Sequence, residues 1–527
     1  MPPAVPLNPD EFWLLAPEIF LAGWGLFVLV LDLTGLRHAS NSVRRSTLGG
    51  IALTGALLCL SLWILMGGDD QAAPSILAGA IANDSIRRWF GGLMLGLLAL
   101  VVVLSMSKPF TERWGEFFSL CLWACVGMMF LVASQELILV FVSLELMTIA
   151  LYLLAGFAQG RRRSAEAGLK YFVYGSVSSA LFLFGLSLIY GMTGSTRLEA
   201  VREALLASDQ GGGLSSNLAG ALAVVLLLVG FGFKVAAVPF HQWAPDTYEG
   251  APSPISAWIA CGSKVASFIA LIRVLVHALA PWAGREGTAL GPGFVGILAL
   301  ISAASMSYGN FAALSQRNLK RLMAYSSIAH AGYMLVGVLA ASVSIDQGGA
   351  AAGAVLFYMF VYAAGTLGVF GLAAWMARDL GDEDIDGLDG LGYRSPALAV
   401  CVTLLLLSLV GVPPLAGFIG KLSMFLEALN TGSPGQLTFL WLVAIALVNS
   451  VISAFYYTRI LRAMFLKPPR SAGLSPAGAG IAVPIAVCAA LLLILSLAPH
   501  LLFEPMNRAA LPLVGGHPPV GDRVASN

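Results

Sequence analysis

The stretch Gly230–Pro239 reads GFGFKVAAVP and places a lysine inside a long apolar run. Its proline has no backbone N–H, so it cannot donate to the carbonyl of Val235 as a helical residue would. An apolar helix through this stretch should therefore kink or break close to Lys234. The sequence predicts a broken membrane helix with a lysine at the break.

The same combination of proline and lysine in an apolar run recurs at Ser408–Lys421, which reads SLVGVPPLAGFIGK. Here Pro413 and Pro414 free the carbonyls of Leu409 and Val410, and a lysine follows two helical turns later. Broken helices at matching positions in two halves of a membrane protein are typical of a transport pathway. The two stretches therefore predict a chain with two related halves.

The composition of the 527-residue chain identifies it as a polytopic membrane protein. Apolar residues make up 58% and charged residues only 11%, against about 25% charged in soluble domains. Mean hydropathy is +0.85. The balance of 29 basic to 28 acidic residues excludes a basic nucleic-acid binder. Disordered, collagen-like and disulfide-stapled classes are excluded by the same composition.

A bilayer core of about 30 Å requires about 20 apolar residues per helix. By this rule the chain should be all-α, with about fourteen transmembrane helices in one compact bundle. We call them spans 1 to 14, and they cover about 12–33, 47–67, 88–107, 116–133, 136–157, 166–192, 217–240, 254–280, 292–311, 321–341, 350–377, 396–428, 436–463 and 478–502.

The loops divide into a basic set and a basic-poor set, and this sets the predicted orientation. The loops after odd-numbered spans carry Arg37, Arg44, Arg45, Lys108, Arg113, Arg161, Arg162, Arg163, Lys170, Arg317, Lys320, Arg321, Arg378, Arg394, Arg462, Lys467 and Arg470. The other side carries Arg87, Arg88, Arg197, Arg202, Arg285, Arg508 and Arg523. Since positive loops face the cytoplasm, both termini are predicted to lie outside it.

Once these 24 basic residues are assigned to the loops, five of the 29 remain inside the spans: Lys234, Lys264, Arg273, Lys421 and Arg459. A charge near the bilayer centre costs about 2.5–3.5 kcal/mol, so it needs a partner, water or a function. Arg273 and Arg459 are close to span ends, where their side chains can snorkel to the membrane surface. Lys264 is about 13.5 Å into span 8 by helical rise, close to the midplane.

One acidic residue, Glu145, lies about 12 Å into span 5. Such a carboxylate either pairs with a lysine or exchanges protons, and the sequence does not say which lysine it meets. His330 is the single mid-span histidine and is either a hydrogen-bonded structural residue or a relay member. Buried lysine gives up a proton far more readily than arginine, so lysines at depth favour a proton relay.

Nothing in the sequence predicts a cofactor or metal site in this chain. The six cysteines lie in apolar runs and are expected to be core thiols, and no Walker sequence is present. Residues 382–387 match the start of a calcium loop, but the twelfth position is Tyr393 instead of the glutamate such loops need. Gly92-x-x-x-Gly96 is a close-packing motif of membrane helices.

Four stretches carry a resemblance to a known family: Ser143–Leu154, Gly232–Phe268, Asn318–Gly337 and Gly390–Phe425. The most specific part is PFHQWAPDTYEGAPSP at Pro239–Pro254. On these residues the chain resembles the antiporter-like membrane subunits of respiratory complex I, and is most similar to their N type. The M type carries Glu at the position of Lys421, and the L type extends beyond fourteen spans.

The resemblance implies two inverted five-helix repeats, each with one broken helix. The implied regions are 1–115 (three N-terminal spans), 116–280 (spans 4–8), 281–466 (spans 9–13) and 467–527 (last span and tail). It also implies a proton relay in which Glu145 pairs with Lys234 in one half-channel. Lys264 would pass protons toward the centre, with His330 nearby, and Lys421 would lead to the other half-channel.

The resemblance further implies a place in a bacterial inner-membrane complex that oxidises NADH and reduces quinone. FMN, iron–sulfur clusters and quinone would bind other subunits, and the partners would be other membrane and peripheral subunits, among them further antiporter-like ones, together with membrane lipid. Two alternatives stay open. One is a subunit of a multi-subunit Na⁺/H⁺ antiporter or membrane-bound hydrogenase, and the other is a structural subunit whose buried charges only pack helices.

Overall fold

The fold is almost entirely helical. We describe it from a computed structural model, which covers residues 13–66, 75–77, 79–158, 160–208, 214, 218–284, 293–344, 348–381, 383–431, 436–469 and 477–514. Three of the basic residues counted above, Arg285, Arg470 and Arg523, lie outside these described residues, as does the tail after Val514.

Thirteen helices in the described part of the chain are long and apolar enough to cross a membrane. They are Ala16–Thr34, Asn41–Met66, Ser85–Ser105, Trp114–Ala133, Leu137–Ala155, Arg162–Thr193, Leu218–Val235, Ser253–Ala278, Phe294–Leu314, Leu319–Val343, Gly349–Asp379, Thr438–Leu466 and Ala479–Leu497. They correspond to spans 1–11, 13 and 14. Span 12 consists of two shorter helices, Pro396–Val410 and Ala416–Leu429, and the all-α membrane fold is confirmed.

The remaining elements are short. They comprise a hairpin of strands Ser75–Ile76 and Ile81–Ala82, the α-helices Leu198–Ser208, Trp243–Gly250, Leu391–Arg394 and His500–Ala510, and the 3-10 helices Ala280–Trp282, Ile385–Leu388 and Leu511–Val514. Span 8 is a continuous helix that includes two wider π-helical segments, Ile259–Ser263 and Arg273–Ala278.

Both predicted helix breaks are present. Span 7 ends at Val235, where the N–H of Ala237 bonds back to the carbonyl of Gly232 at 2.7 Å, and a helix resumes only at Trp243. Span 12 ends its first half at Val410, followed by Gly411 with φ +88°, a left-handed conformation that favours glycine. The prolines thus interrupt the helices at the expected places.

The two five-helix sets, spans 4–8 and spans 9–13, are built alike. The broken helix is the fourth of its set in both. In each set the first span packs on the second, the third packs on the broken helix, and the first also packs on the fifth. Spans 8, 10 and 11 are buried along their whole apolar windows, so the core of the molecule lies where the two sets meet.

Ion pairs gather the loops of the basic set at one end of the bundle, which we call the basic end. Asp246 receives hydrogen bonds from Lys170 at 2.6 Å and from Arg321 at 2.7 Å. Burial opposes ionisation of Asp246, but these two bonds outweigh it and hold the pKa of this carboxyl below its ordinary value. Lys320 pairs with Glu383 at 3.1 Å in the next loop of the same set. The predicted alternation of loops therefore holds in three dimensions.

The loop bias predicts that the basic end faces the cytoplasm, and a cysteine at Asp384 tests this. Asp384 is exposed at the basic end, whereas Ala207 is exposed in the helix between spans 6 and 7 at the opposite end. Five native cysteines are buried and Cys401 is half-buried, so background labelling should be low. A membrane-impermeant maleimide should label Ala207→Cys in intact cells but Asp384→Cys only after permeabilisation. The reverse pattern would invert the topology.

The two intramembrane arginines have structural partners, and for Arg273 the expected snorkelling is wrong. Its side chain is 1% exposed and donates to Asp84 at 2.6 Å and to the carbonyl of Val132 at 2.8 Å. Span 8 is enclosed by protein, so this side chain has no lipid surface to follow. Arg459 is half-buried and binds the carbonyl of Leu314 at 2.9 Å, where it stabilises the C-terminal end of span 9.

Arg273→Met should destabilise the subunit, because it leaves the Asp84 carboxylate without its buried partner. Breaking a buried ion pair costs about 3–5 kcal/mol, and the low end applies since the Asp84 side chain is 19% exposed. The expected result is a lower apparent Tm and a lower yield of assembled protein. Adding Asp84→Asn, which can still cap span 3, should recover part of the loss. Wild-type stability in the single variant would contradict this role.

Candidate functional site: a buried polar axis

The first part of the site joins spans 5, 6 and 7. Lys234, only 5% exposed, donates its ammonium proton to the hydroxyl of Thr148, one helical turn beyond Glu145. Glu145 instead accepts a hydrogen bond of 2.5 Å from Ser179 on span 6. Within the described residues there is no Glu145–Lys234 ion pair shorter than 4.0 Å. The implied direct pairing is therefore not seen, since Lys234 is bound to Thr148 and Glu145 to Ser179.

The surroundings of Lys234 favour a cation in spite of its burial. The Lys234 ammonium is 5.5 Å from the ring centre of Tyr152 and 5.3 Å from that of Phe233. Aromatic faces attract a cation at these distances. Lys234 also lies in the last turn of its helix, where the backbone dipoles favour positive charge. The break in span 7 thus creates the position that the lysine occupies.

The central part of the site starts at Lys264, which is 1% exposed and directly follows the π-helical segment of span 8. Such segments are frequent at functional sites. Lys264 donates to the carbonyl of Ser327 at 2.8 Å and also to its hydroxyl. Tyr362 donates to the same hydroxyl at 2.9 Å. Lys264 is therefore held by span 10 rather than by a carboxylate.

His330 lies one helical turn beyond Ser327 on span 10. Its Nδ1 is 2.7 Å from the hydroxyl of Tyr358, and its Nε2 is 3.3 Å from the hydroxyl of Tyr457. A tyrosine hydroxyl can donate or accept, so either tautomer of the imidazole is satisfied here. Tyr457 continues to Ser326 at 2.5 Å. These hydrogen bonds are compatible with His330 acting either as a structural residue or as a proton carrier.

Lys421 occupies the second helix break. Its ammonium donates to the carbonyls of Leu409 at 3.0 Å and Val410 at 2.9 Å, which are the two carbonyls that the prolines release. It also lies 4.7 Å from the ring centre of Tyr333, whose ring is 5.8 Å from that of His330. The lysine therefore completes the broken helix and connects it to the central histidine.

The five predicted site residues thus fall into two groups. Glu145 and Lys234 form one group, while Lys264, His330 and Lys421 are joined through span 10. Within the described residues, no hydrogen bond links Lys234 directly to Lys264. The arrangement holds groups that can each take up and release a proton. No cluster of three or more metal-binding side chains occurs in the described ranges.

The sequence reasoning missed the hydroxyl groups between the charged residues. They are Thr148, Ser179, Ser327, Tyr333, Tyr358, Tyr362 and Tyr457. A signal was available for three of them, since Thr148, Ser327 and Tyr333 each lie three residues from Glu145 or His330. Residues three apart share a helix face. The others come from neighbouring helices, and only the packed bundle reveals them.

A bundle with two alike five-helix sets, each with a broken helix and buried lysine, defines an antiporter-like membrane subunit. The family profile described as "NADH:quinone oxidoreductase/Mrp antiporter, TM" matches residues 134–453. The chain belongs to this family. The matched part contains all five predicted site residues.

Similar proteins agree with this assignment over most of the chain. NADH-quinone oxidoreductase subunit N 2 of Symbiobacterium thermophilum is 40% identical, over 89% of this chain and 91% of that protein. F(420)H(2) dehydrogenase subunit N of Methanosarcina mazei is 36% identical over 96% of this chain and 99% of that one. A chain of respiratory complex I from Thermus thermophilus, solved with bound aureothin, is 33% identical with a TM-score of 0.73, covering 93% and 98% of the two chains.

Proposed function

We propose that this chain is the N-type antiporter-like subunit of an NADH:quinone oxidoreductase, in which it moves protons across the bacterial inner membrane. FMN, the iron–sulfur clusters and the quinone would be bound by other subunits. The observation that carries the proposal is that Lys264 hydrogen-bonds Ser327 in the core, while His330, one helical turn further on span 10, is hydrogen-bonded to Tyr358. Helix packing alone has no need for such groups.

The proposed route begins at Glu145 and passes along span 5 to Lys234. The hydroxyl of Thr148 accepts from Lys234 and donates to the carbonyl of Leu144, so it can hand a proton on only by rotating. The Tyr152 hydroxyl close by is buried without a protein partner. Buried polar groups of this kind are normally satisfied by water. We propose that water joins Lys234 to Lys264.

From Lys264 the proposed route crosses span 10. As the Ser327 hydroxyl takes a proton from Lys264 it would release its own proton, and the proposed acceptor of that proton is His330, one helical turn further on span 10. A charge on His330 would repel the ammonium of Lys421, whose partners are two carbonyls that can only accept. Loss of a proton from Lys421 toward the far half-channel would relieve this repulsion. In this scheme the basic end is cytoplasmic and both termini lie outside.

A second candidate function comes from the family itself, whose description also covers Mrp antiporters. Affinity purification of the tagged chain from its native membranes, in mild detergent, separates the two. The proposal expects flavin- and iron–sulfur-containing subunits to co-purify and the preparation to oxidise NADH with quinone. Co-purification with membrane antiporter subunits alone, without flavin, would replace it with the antiporter function.

A further inference from the structure

Two buried tyrosines, Tyr152 on span 5 and Tyr171 on span 6, form a pair beside Lys234, which we call the tyrosine pair. Their rings meet nearly at right angles, with centres 4.7 Å apart. The Lys234 ammonium is 5.5 Å from the ring centre of Tyr152. Tyr171 also stacks on Trp243, with ring centres 4.3 Å apart. The proton route described above names neither the Tyr171 ring nor its hydroxyl.

The hydroxyl groups of the tyrosine pair are buried, and neither has a hydrogen-bond partner among the described residues. Tyr171 is 0% exposed and Tyr152 is 7% exposed. An unpaired buried hydroxyl costs about 1–3 kcal/mol, whereas a phenylalanine ring would fill the same space without this cost. Buried groups of this kind are normally satisfied by water. Packing of spans 5 and 6 therefore accounts for the two rings but not for the two hydroxyls.

Span 6 is shaped to admit the Tyr152 hydroxyl. Gly175, one helical turn after Tyr171, lies directly against this hydroxyl, and a Cβ at Gly175 would overlap its oxygen. Glycine is the residue that permits such a close approach. One turn further along the same face, Ser179 donates to Glu145. The polar face of span 6 therefore continues from the partner of Glu145, past the Tyr152 hydroxyl, to Tyr171.

The tyrosine pair also reaches span 8. The Tyr171 hydroxyl faces the side chain of Ser263, which is buried. Ser263 is the last residue of the π-helical segment Ile259–Ser263, and Lys264 follows it directly. The hydroxyls of Tyr152, Tyr171 and Ser263 therefore form a series that leads from the Lys234 ammonium to the helical turn that carries Lys264.

We propose that Tyr171 is a further residue of the proton route, and that its hydroxyl and that of Tyr152 hold the water that joins Lys234 to Lys264. This inference rests on the proposed function. A proton that leaves the Lys234 ammonium enters this water. Each hydroxyl takes up a proton on one side as it releases its own on the other, so it ends unchanged. The neutral amine of Lys264 takes up the last proton.

Tyr171→Phe in the purified complex tests this inference through proton pumping in proteoliposomes, normalised to assembled complex. Because the hydroxyl has no partner among the described residues, its removal should leave assembly and the apparent Tm unchanged. Pumping should fall about a hundredfold, the low end of what a positioned proton-transfer group contributes. Tyr174→Phe is the matched control, since Tyr174 is on the same helix with 47% of its surface exposed, and it should pump normally.

Two further variants address the other half of the tyrosine pair. Tyr152→Phe removes the second hydroxyl and should lower pumping with normal assembly. Gly175→Ala keeps both hydroxyls but displaces that of Tyr152, so it should lower pumping as well.

Normal pumping by Tyr171→Phe would remove Tyr171 from the proton route, and a loss of assembly in this variant would make its hydroxyl a structural group. Either result would overturn the inference. Lys264→Met separates this failure from a failure of the proposed function. If Lys264→Met stops pumping while Tyr171→Phe does not, only the inference about Tyr171 is wrong. If both variants pump normally, the proposed function is wrong too.

Discussion

Lys264→Met is expected to abolish proton pumping while the complex still assembles. The side chain is buried and, among the described residues, hydrogen-bonds only to Ser327 on span 10, and methionine fills similar volume without leaving a lone charge. The relay would lose the group that joins the two halves of the axis. Proton uptake by proteoliposomes, driven by NADH and normalised to assembled complex, measures the effect. The expected pumping is at the background level of uncoupled vesicles.

Lys264→Arg distinguishes a relay from a structural cation. Arginine keeps the positive charge and can still donate to Ser327, but it does not release a proton at physiological pH. The relay therefore expects the arginine variant to pump as poorly as the methionine variant. A structural role expects it to be nearly normal. Arg459→Gln serves as the control, because it removes a span arginine whose hydrogen bonds within the described residues go to carbonyls at a helix end.

The broken helices could be predicted from the sequence because proline acts locally. Pro239, Pro413 and Pro414 each remove a specific backbone hydrogen bond, so the positions of the breaks follow from their numbers alone. The carbonyls freed at Leu409 and Val410 were predicted in the same way. That Lys421 itself binds these carbonyls depends on the angle between the two half-helices. The spacing of residues in the sequence does not determine this angle.

The depth of a residue along its helix could also be counted from the sequence. Its contacts with the neighbouring helices could not be predicted. Arg273 lies near a span end, as counted, yet span 8 is enclosed by other spans and the arginine pairs with Asp84, 189 positions earlier in the chain. The tyrosines around His330 are equally remote in sequence. Their contacts depend on which faces of spans 11 and 13 turn inward. In an almost uniformly apolar helix the hydrophobic pattern gives little guidance on this.

The hydrogen bond from Lys234 to Thr148 adds a further test to those of Glu145 and Lys234. Glu145→Gln should stall pumping, because the amide cannot take up a proton, while NADH oxidation by artificial acceptors elsewhere in the complex should continue. Lys234→Met should stall pumping too. Glu145→Asp should retain partial pumping, since it keeps the carboxylate and shortens its reach by one methylene.

Thr148→Val should impair pumping with both charges intact, because Lys234 loses its hydroxyl partner. Thr148→Ser, which keeps the hydroxyl, should pump normally.

The double variant Glu145→Gln with Lys234→Met separates a relay from a structural pair. Removing one member of a buried charge pair costs roughly 3–5 kcal/mol, and removing both relieves much of that cost. Glu145 and Lys234 are not in direct contact, so the assembly defect of either single variant should be at the low end, and the double variant should assemble at least as well. A structural pair then expects normal pumping once the protein is assembled. The relay expects none, because both proton-exchanging groups are gone. Pumping per assembled complex decides, and a fully active double variant would remove Glu145 and Lys234 from the proton route.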